Sequence, residues 1–373
     1  LRIDFVITEL FVGGAERCLT QVALGLAEHG ARVRIFSLAN LPTGPQRLLV
    51  DRLQAAGIPI SSGGADRARQ FLAARRRLVA WLGESPPDIC QTFLHHANVV
   101  GTFAAGTAGV AVRVGGVRVA EVRPLRIWLE RQAVKRMDSV ICVSRAVQDF
   151  ARDRLGCAGS TSVVIPNGVD VSHFSTAAPY DWSQLGWPKN SIVSLFVGRL
   201  HPQKGLEQIQ TQVDRLAPAG SLRRILLVGD GPLRDQLSAW ASSAGRDRVQ
   251  LLPWQPDVAP LMKAARLLLL PSRYEGLPNV VLEAMASGRP VVCSRVQGSE
   301  ELFAHDRLRQ SFAAGDAASM ADLAEAFLHD ETLSNEVGAS NQAHVCKEFS
   351  IPAMVDAYRS HYRMLLARHE TTA

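Results

Sequence analysis

The stretch Leu267-Leu-Leu-Leu-Pro-Ser-Arg-Tyr-Glu-Gly-Leu-Pro-Asn-Val-Val-Leu-Glu283 contains a full change of secondary structure. The four leucines form an apolar run of strand length, and Ser272 to Gly276 read as a loop. Pro278 suits the first turn of a helix, and Gly288 suits its C-terminal stop. Val291 to Cys293 opens the next apolar run. Strand, loop, helix and strand in succession are the pattern of a parallel sheet covered by helices. Glu275 then lies in the loop and Glu283 two turns into the helix, both directed toward one crevice beyond the strand end.

The same alternation extends in both directions. Upstream, Ile192 to Val197, Ile225 to Val228 and Val249 to Leu252 read as strands. The first half repeats the pattern with strands expected at Ile3 to Ile7, Val33 to Leu38, Ile89 to Phe93, Val110 to Val114, Val140 to Val143 and Val163 to Ile165. Helices are expected over Ala15 to His29 and Phe71 to Leu82, and Leu206, Ile209, Val213 and Leu216 share one helical face. The texture loosens through Ser175 to Trp182 and Gly186 to Asn190, which suggests a linker near residue 172. The expected fold class is therefore α/β, with two doubly wound Rossmann-like domains at 1–172 and 173–349. Residues 350–373 form a last helix, with Ser350 as cap and Met354, Tyr358, Tyr362 and Leu365 along one face that needs a surface to cover.

Composition narrows the class. The 373 residues are 47% hydrophobic and 20% charged, which fits two domains with cores of their own. No apolar run approaches the roughly 18 to 20 residues needed to span a bilayer. Leu1 to Ile7 lacks the basic, apolar and small-residue order of a secretory signal and is expected to be a first strand. Cysteines 18, 90, 142, 157, 293 and 346 form no C-x-x-C pair, so a reducing, cytoplasmic setting is expected. The net charge of +6 is uneven: residues 1–170 carry 21 Lys and Arg against 14 Asp and Glu. Those basic residues lack interleaved aromatics, which argues against nucleic acid.

Candidate chemistry gathers after the strands of the second half. Phe196-Val-Gly-Arg-Leu-His-Pro-Gln-Lys-Gly205 places Arg199 and Lys204 at a helix entrance, a suitable pair for a diphosphate. Leu227-Val-Gly-Asp-Gly-Pro-Leu233 adds a glycine turn, including Gly229, that gains meaning only from its neighbours. Carboxylates such as Glu275 and Glu283 suit sugar hydroxyls, because each accepts two hydrogen bonds. The backbone N–H groups of Gly276, Leu277, Pro278's neighbour Asn279 and the turn between them would face an anion at the helix start.

Together, GGAER at Gly13 to Arg17, IPNGVD at Ile165 to Asp170, VGRLHPQKG at Val197 to Gly205, VGDGP at Val228 to Pro232 and EGLPNVVLEAMASGRPVV at Glu275 to Val292 resemble retaining glycosyltransferase family 4 of GT-B fold. The resemblance runs through essentially the whole chain. It implies two domains facing a central cleft, with the last helix crossing back to the first. It also implies that Arg199 and Lys204 bind the donor diphosphate, that Glu275 contacts the donor sugar and that Glu283 holds the ribose. Pro253 and Trp254 would flank the base, while Gly13 and Gly14 approach donor phosphates and acceptor. A UDP-sugar is the favoured donor on family frequency, with a GDP-sugar second. The acceptor would be a hydroxyl of a glycan or lipid-linked molecule. No cofactor or divalent metal is expected, since the chain lacks the Asp-x-Asp motif of metal-dependent relatives.

The chain also departs from the family pattern. A histidine common after the strand matching Val112 to Gly116 is replaced, and Arg118 stands at the corresponding place. Arg118 is therefore a candidate for donor or acceptor phosphate. His95 and His96 follow the strand Ile89 to Phe93, and either could position an acceptor hydroxyl. The basic residues Arg75 to Arg77, Arg123, Arg126, Arg131, Lys135 and Arg136 suit a solvated face or peripheral contact with an anionic inner-leaflet membrane. Two rival readings are a GT-B sugar-nucleotide epimerase and a non-catalytic nucleotide-sugar-binding scaffold.

Overall fold

A computed structural model describes residues 1–120, 123–303 and 307–372. The chain divides into two compact units, Leu1–Gly168 together with the segment from Ile351 onward, and Val169–Ser350. The division falls after Gly168, so the short helix Val171–Thr176 belongs to the second unit.

The first unit is built on β1 (Arg2–Ile7), β2 (Arg32–Ser37), β3 (Ile60–Ser62), β4 (Ile89–Phe93), β5 (Val112–Val117), β6 (Ser139–Cys142) and β7 (Ser162–Val164). All pair in parallel, in the order β3-β2-β1-β4-β5-β6-β7. Residues of β1 alternate between two cores. Ile3, Phe5 and Ile7 join Leu19, Val22 and Leu26 of the helix Gly14–Glu28, whereas Val6 joins Leu78 and Ala97 on the other face. The alternation is the period-2 geometry of a strand buried on both sides. The expected strand at Val110 to Val114 begins two residues later, because Gly109 turns the chain at φ 72° and Val110 still closes the preceding helix end.

The helix Ile351–Thr372 belongs to this unit, and the expected face is the buried one. Met354, Tyr358, Tyr362 and Leu365 enter the core beside the helix Gly14–Glu28. Gly25 provides the room: a Cβ there would collide with Val355. Both tyrosine hydroxyls are satisfied inside, Tyr358 by Arg118 at 2.6 Å and Tyr362 by donating to Gln91 Oε1 at 3.1 Å.

The second unit holds β8 (Ile192–Val197), β9 (Arg223–Val228), β10 (Val249–Leu252), β11 (Leu267–Leu270), β12 (Val291–Arg295) and β13 (Ser311–Ala313). They pair in parallel in the order β10-β9-β8-β11-β12-β13. The helical face expected from Leu206 to Leu216 is interrupted at Gln212, which separates Glu207–Thr211 from Val213–Leu216. Five cysteines are buried and Cys346 is exposed, and all six are unpaired. Among the described residues, no helix is long and apolar enough to cross a membrane.

Candidate functional site

In each sheet the strand order reverses at one place, between β1 and β4 in the first unit and between β8 and β11 in the second. Loops diverge there and leave a crevice beyond the strand ends, where ligands bind in open α/β sheets.

In the second unit, register brings the loops to one level: Val197 pairs with Val228, and Val228 with Leu252. The segments starting at Gly198, Gly229 and Pro253 therefore leave the sheet side by side. Gly229 is required by this closeness, since a Cβ there would collide with the Gly198 carbonyl. Gly205, at φ 61°, passes the Pro271 carbonyl with no room for a Cβ, which locks the loop after β8 onto the loop after β11. Gln208 Nε2 donates to the same carbonyl at 2.9 Å, and Gln203 Nε2 donates to the Tyr274 carbonyl at 2.9 Å.

These two loops carry the charged groups. Lys204 Nζ donates to Glu275 Oε1 at 2.6 Å, and Ser272 Oγ donates to the same oxygen at 2.6 Å. Both side chains of the ion pair are largely buried, at 15% and 10% exposure. A nearly buried ion pair with hydrogen-bond support is held in one geometry, which an exposed pair would not be. Glu275 also bears on the thiol behind it: burial, with that carboxylate adding to it, pushes Cys293 up to about 12. Arg199 lies on the same loop as Lys204 but is exposed, its Nη2 donating to Gln203 Oε1 at 3.3 Å.

Pro278 caps the helix Asn279–Ala286, preceded by the buried Gly276 and Leu277, and Glu283 is a buried residue of that helix at 9% exposure. Pro253 and Trp254 follow the edge strand β10, two strands away from the β8–β11 reversal. The structure thus joins Lys204 and Glu275 directly, puts Arg199 beside them and leaves Pro253 and Trp254 on the flank.

In the first unit, Gly13 and Gly14 begin the helix after β1, and His95 begins the helix after β4. The two loops touch: the backbone N–H of Ala97 donates to Thr8 Oγ1 at 3.3 Å. His95 Nδ1 is 3.0 Å from Glu130 Oε2, while His96 stacks on Phe71 with ring centroids 5.1 Å apart. Arg118 is placed differently from the phosphate-binding expectation. It is 6% exposed, donates to Asn167 Oδ1 at 2.9 Å and to the Tyr358 hydroxyl at 2.6 Å, and stands 4.6 Å from the Phe93 ring centre. Its guanidinium ties the end of β5 to the last helix, inside the unit.

Three polar residues of these sites were not singled out from the sequence: Ser272, Glu130 and Glu16. Ser272 is an ordinary loop serine. Glu130 carried a usable signal, because it shares the inner stripe of the helix Pro124–Val134 with Ile127, Ala133 and Val134. Glu16 lay within GGAER but had no role until the fold turned its carboxylate over Gly13.

Two family models match the chain, Glycosyltransferase Family 4 over residues 12–173 and Glycosyl transferases group 1 over residues 181–344. The chain is 30% identical over 229 residues to the UDP-Gal:alpha-D-GlcNAc-diphosphoundecaprenol alpha-1,3-galactosyltransferase of Escherichia coli, a match spanning 57% of this chain and 59% of that enzyme. It is 26% identical over 329 residues to the phosphatidyl-myo-inositol mannosyltransferase of Mycobacterium leprae, spanning 86% of this chain and 85% of that one. Among solved structures, Anabaena HepE in complex with UDP-glucose matches with a TM-score of 0.83 at 23% identity, over 100% of both chains.

Proposed function

Given that the chain belongs to the family 4 glycosyltransferases and has their fold of two Rossmann-like units, we propose that it is a retaining, metal-independent hexosyltransferase. It takes a sugar from a nucleoside-diphosphate sugar, a UDP-sugar before a GDP-sugar, and passes it to a hydroxyl of a glycan or lipid-linked acceptor in polysaccharide or glycolipid synthesis. The observation that carries this reading is the Lys204–Glu275 ion pair at the β8–β11 reversal, with Arg199 on the same loop.

Breaking a sugar–diphosphate bond builds negative charge on the leaving group, which is stabilised best by groups already in place. Lys204 and Arg199 supply that charge without a metal. Glu275 holds Lys204 in position; with donor bound, the ammonium turns to the diphosphate and the carboxylate accepts sugar hydroxyls. Gly276 to Asn279 present backbone donors at the helix start, Glu283 holds the ribose, and Gly229, Pro253 and Trp254 line the nucleotide. Support for a UDP-sugar donor and a lipid-linked acceptor comes from the relatives: the E. coli enzyme is named for UDP-Gal and a diphosphoundecaprenol acceptor, the mycobacterial one for phosphatidyl-myo-inositol.

Thermal unfolding of the wild type and Glu283→Ala with UDP, GDP, ADP and their sugars, in EDTA, tests the proposal. A ligand at about 100 times its Kd stabilises the native state by roughly 2.7 kcal/mol. One base is expected to give that shift in the wild type and to lose most of it in the variant. A folded wild type indifferent to every nucleotide would refute the transferase reading, and a shift that needs Mg²⁺ would refute its metal independence.

A further inference from the structure

Glu275 takes both of its protein partners on one oxygen. Lys204 Nζ and Ser272 Oγ each donate to Oε1 at 2.6 Å, and Oε2 has no partner among the described residues. The carboxylate is thereby divided, one oxygen held by the protein and the other open to a ligand.

The two donors are held very differently. Lys204 reaches Oε1 on a flexible four-carbon stem. Ser272 reaches it through a single rotatable bond, from a fully buried residue whose backbone is pinned on every side. The Pro271 carbonyl accepts from Gln208 Nε2 at 2.9 Å, and the Arg273 N–H donates to the Gln203 carbonyl at 2.8 Å. Between them, the Ser272 carbonyl accepts from Ser294 Oγ of β12. The Ser294 carbonyl in turn accepts from Ser299 Oγ at 2.9 Å, and both of these serines are buried. All of these contacts lie within the second unit.

Of the two donors, only Lys204 is drawn away by a diphosphate. When its ammonium turns to a phosphate, a carboxylate that is 10% exposed loses its charged partner, which is costly unless another hydrogen bond remains. A serine hydroxyl on a pinned backbone has no comparable freedom, and it stays.

We propose that Ser272 is a positioning residue of the donor-sugar site: it keeps Glu275 Oε1 anchored while Lys204 moves to the diphosphate, so that Oε2 stays aimed at the sugar hydroxyls. The inference rests on the transferase reading. No covalent bond changes in this step, because one ion pair is exchanged for another while the bond from Ser272 to Glu275 persists through both.

Calorimetric titration of the full chain with UDP, UDP-glucose, UDP-galactose, GDP and GDP-mannose tests it. The quantity read is the Kd of each sugar nucleotide divided by that of its nucleoside diphosphate, a ratio in which the shared cost of moving Lys204 cancels. A hydrogen bond to a charged group is worth roughly 10- to 100-fold in an equilibrium constant. Ser272→Ala is therefore expected to shift the ratio against the sugar nucleotide by about 10-fold, and Glu275→Ala by at least as much. Added to Glu275→Ala, Ser272→Ala should change the ratio by less than about twofold, because a residue that acts through Glu275 then has nothing to position. A ratio unchanged in Ser272→Ala would overturn the inference, as would one unchanged in Glu275→Ala. An equal shift with and without Glu275 would also overturn it, since that marks a general disturbance of the loop. A folded wild type that binds none of these nucleotides would instead sink the transferase reading, and the inference with it.

Discussion

Glu16 shows how one side chain couples the fold to pH. It is 7% exposed at the start of the helix Gly14–Glu28, and its carboxylate lies where a Cβ on Gly13 would have to go. Burial, helped by the nearby Glu9, pushes its carboxyl up from an ordinary 4.5 to about 7, against the pull of its own backbone N–H. The folded chain therefore holds this proton more tightly than the unfolded one. The contribution is fully present below about pH 4.5 and is lost as pH rises through about 7. Glu16→Gln should be near neutral at the acid end and stabilising by about 1 to 3 kcal/mol near pH 8. Urea unfolding at both pH values checks this, and an equal effect at the two would show that burial of the charge is not the cause.

Residue roles were legible in the sequence where they depend on neighbours along the chain, and less so elsewhere. Lys204 and Glu275 could be picked out because each follows a strand end, although their ion pair joins positions 71 apart. Arg118 was a candidate because it stands where the resembled family often carries a histidine. Its partners Asn167 and Tyr358 lie 49 and 240 positions away, and only the folded chain shows that they occupy it.

At the scale of elements, the apolar stripe of the last helix was read correctly because four large side chains at helical spacing need cover. Tyr358 and Tyr362 are fully buried, and losing one large aromatic from a core costs about 3 to 5 kcal/mol. Truncation after Ser350 removes both together with Met354 and Leu365. The first unit should then lose its cooperative melting transition while the second keeps its own. Calorimetry of the truncated chain would decide, and two intact transitions would mean the helix is dispensable. The strands missed were β3 and β13, each three residues long at a sheet edge. Ile60-Ser-Ser62 and Ser311-Phe-Ala313 are too short and too polar for a periodicity to show, and they exist because a neighbouring strand offers them hydrogen bonds.

For the molecule as a whole, the surplus of positive charge in residues 1–170 has a structural companion. On the helix Pro124–Val134, Leu125 and Trp128 are 69% and 57% exposed, beside Arg123, Arg126 and Arg131. Apolar anchors flanked by cations suit the headgroup region of an anionic bilayer, where each Lys or Arg near the surface adds about 1 kcal/mol. We propose peripheral binding there, at the inner leaflet. The protein should co-sediment with phosphatidylglycerol vesicles, less so at high salt or as Trp128→Ala, and not with phosphatidylcholine alone. Equal sedimentation of wild type and variant would rule out this helix as the anchor.

The alternation of strands and helices, the two doubly wound units and the loops that carry charge followed from local properties: periodicity, β-branching, glycine and proline. Each acts over a few residues, so a linear reading reaches them. Which groups meet across a sheet's reversal point did not follow. The pairing of His95 with Glu130, the enclosure of Arg118 and the ion pair of Lys204 with Glu275 depend on strand order and on backbone approach at Gly205 and Gly229. Those contacts bring together positions tens to hundreds of residues apart, and no local propensity encodes them.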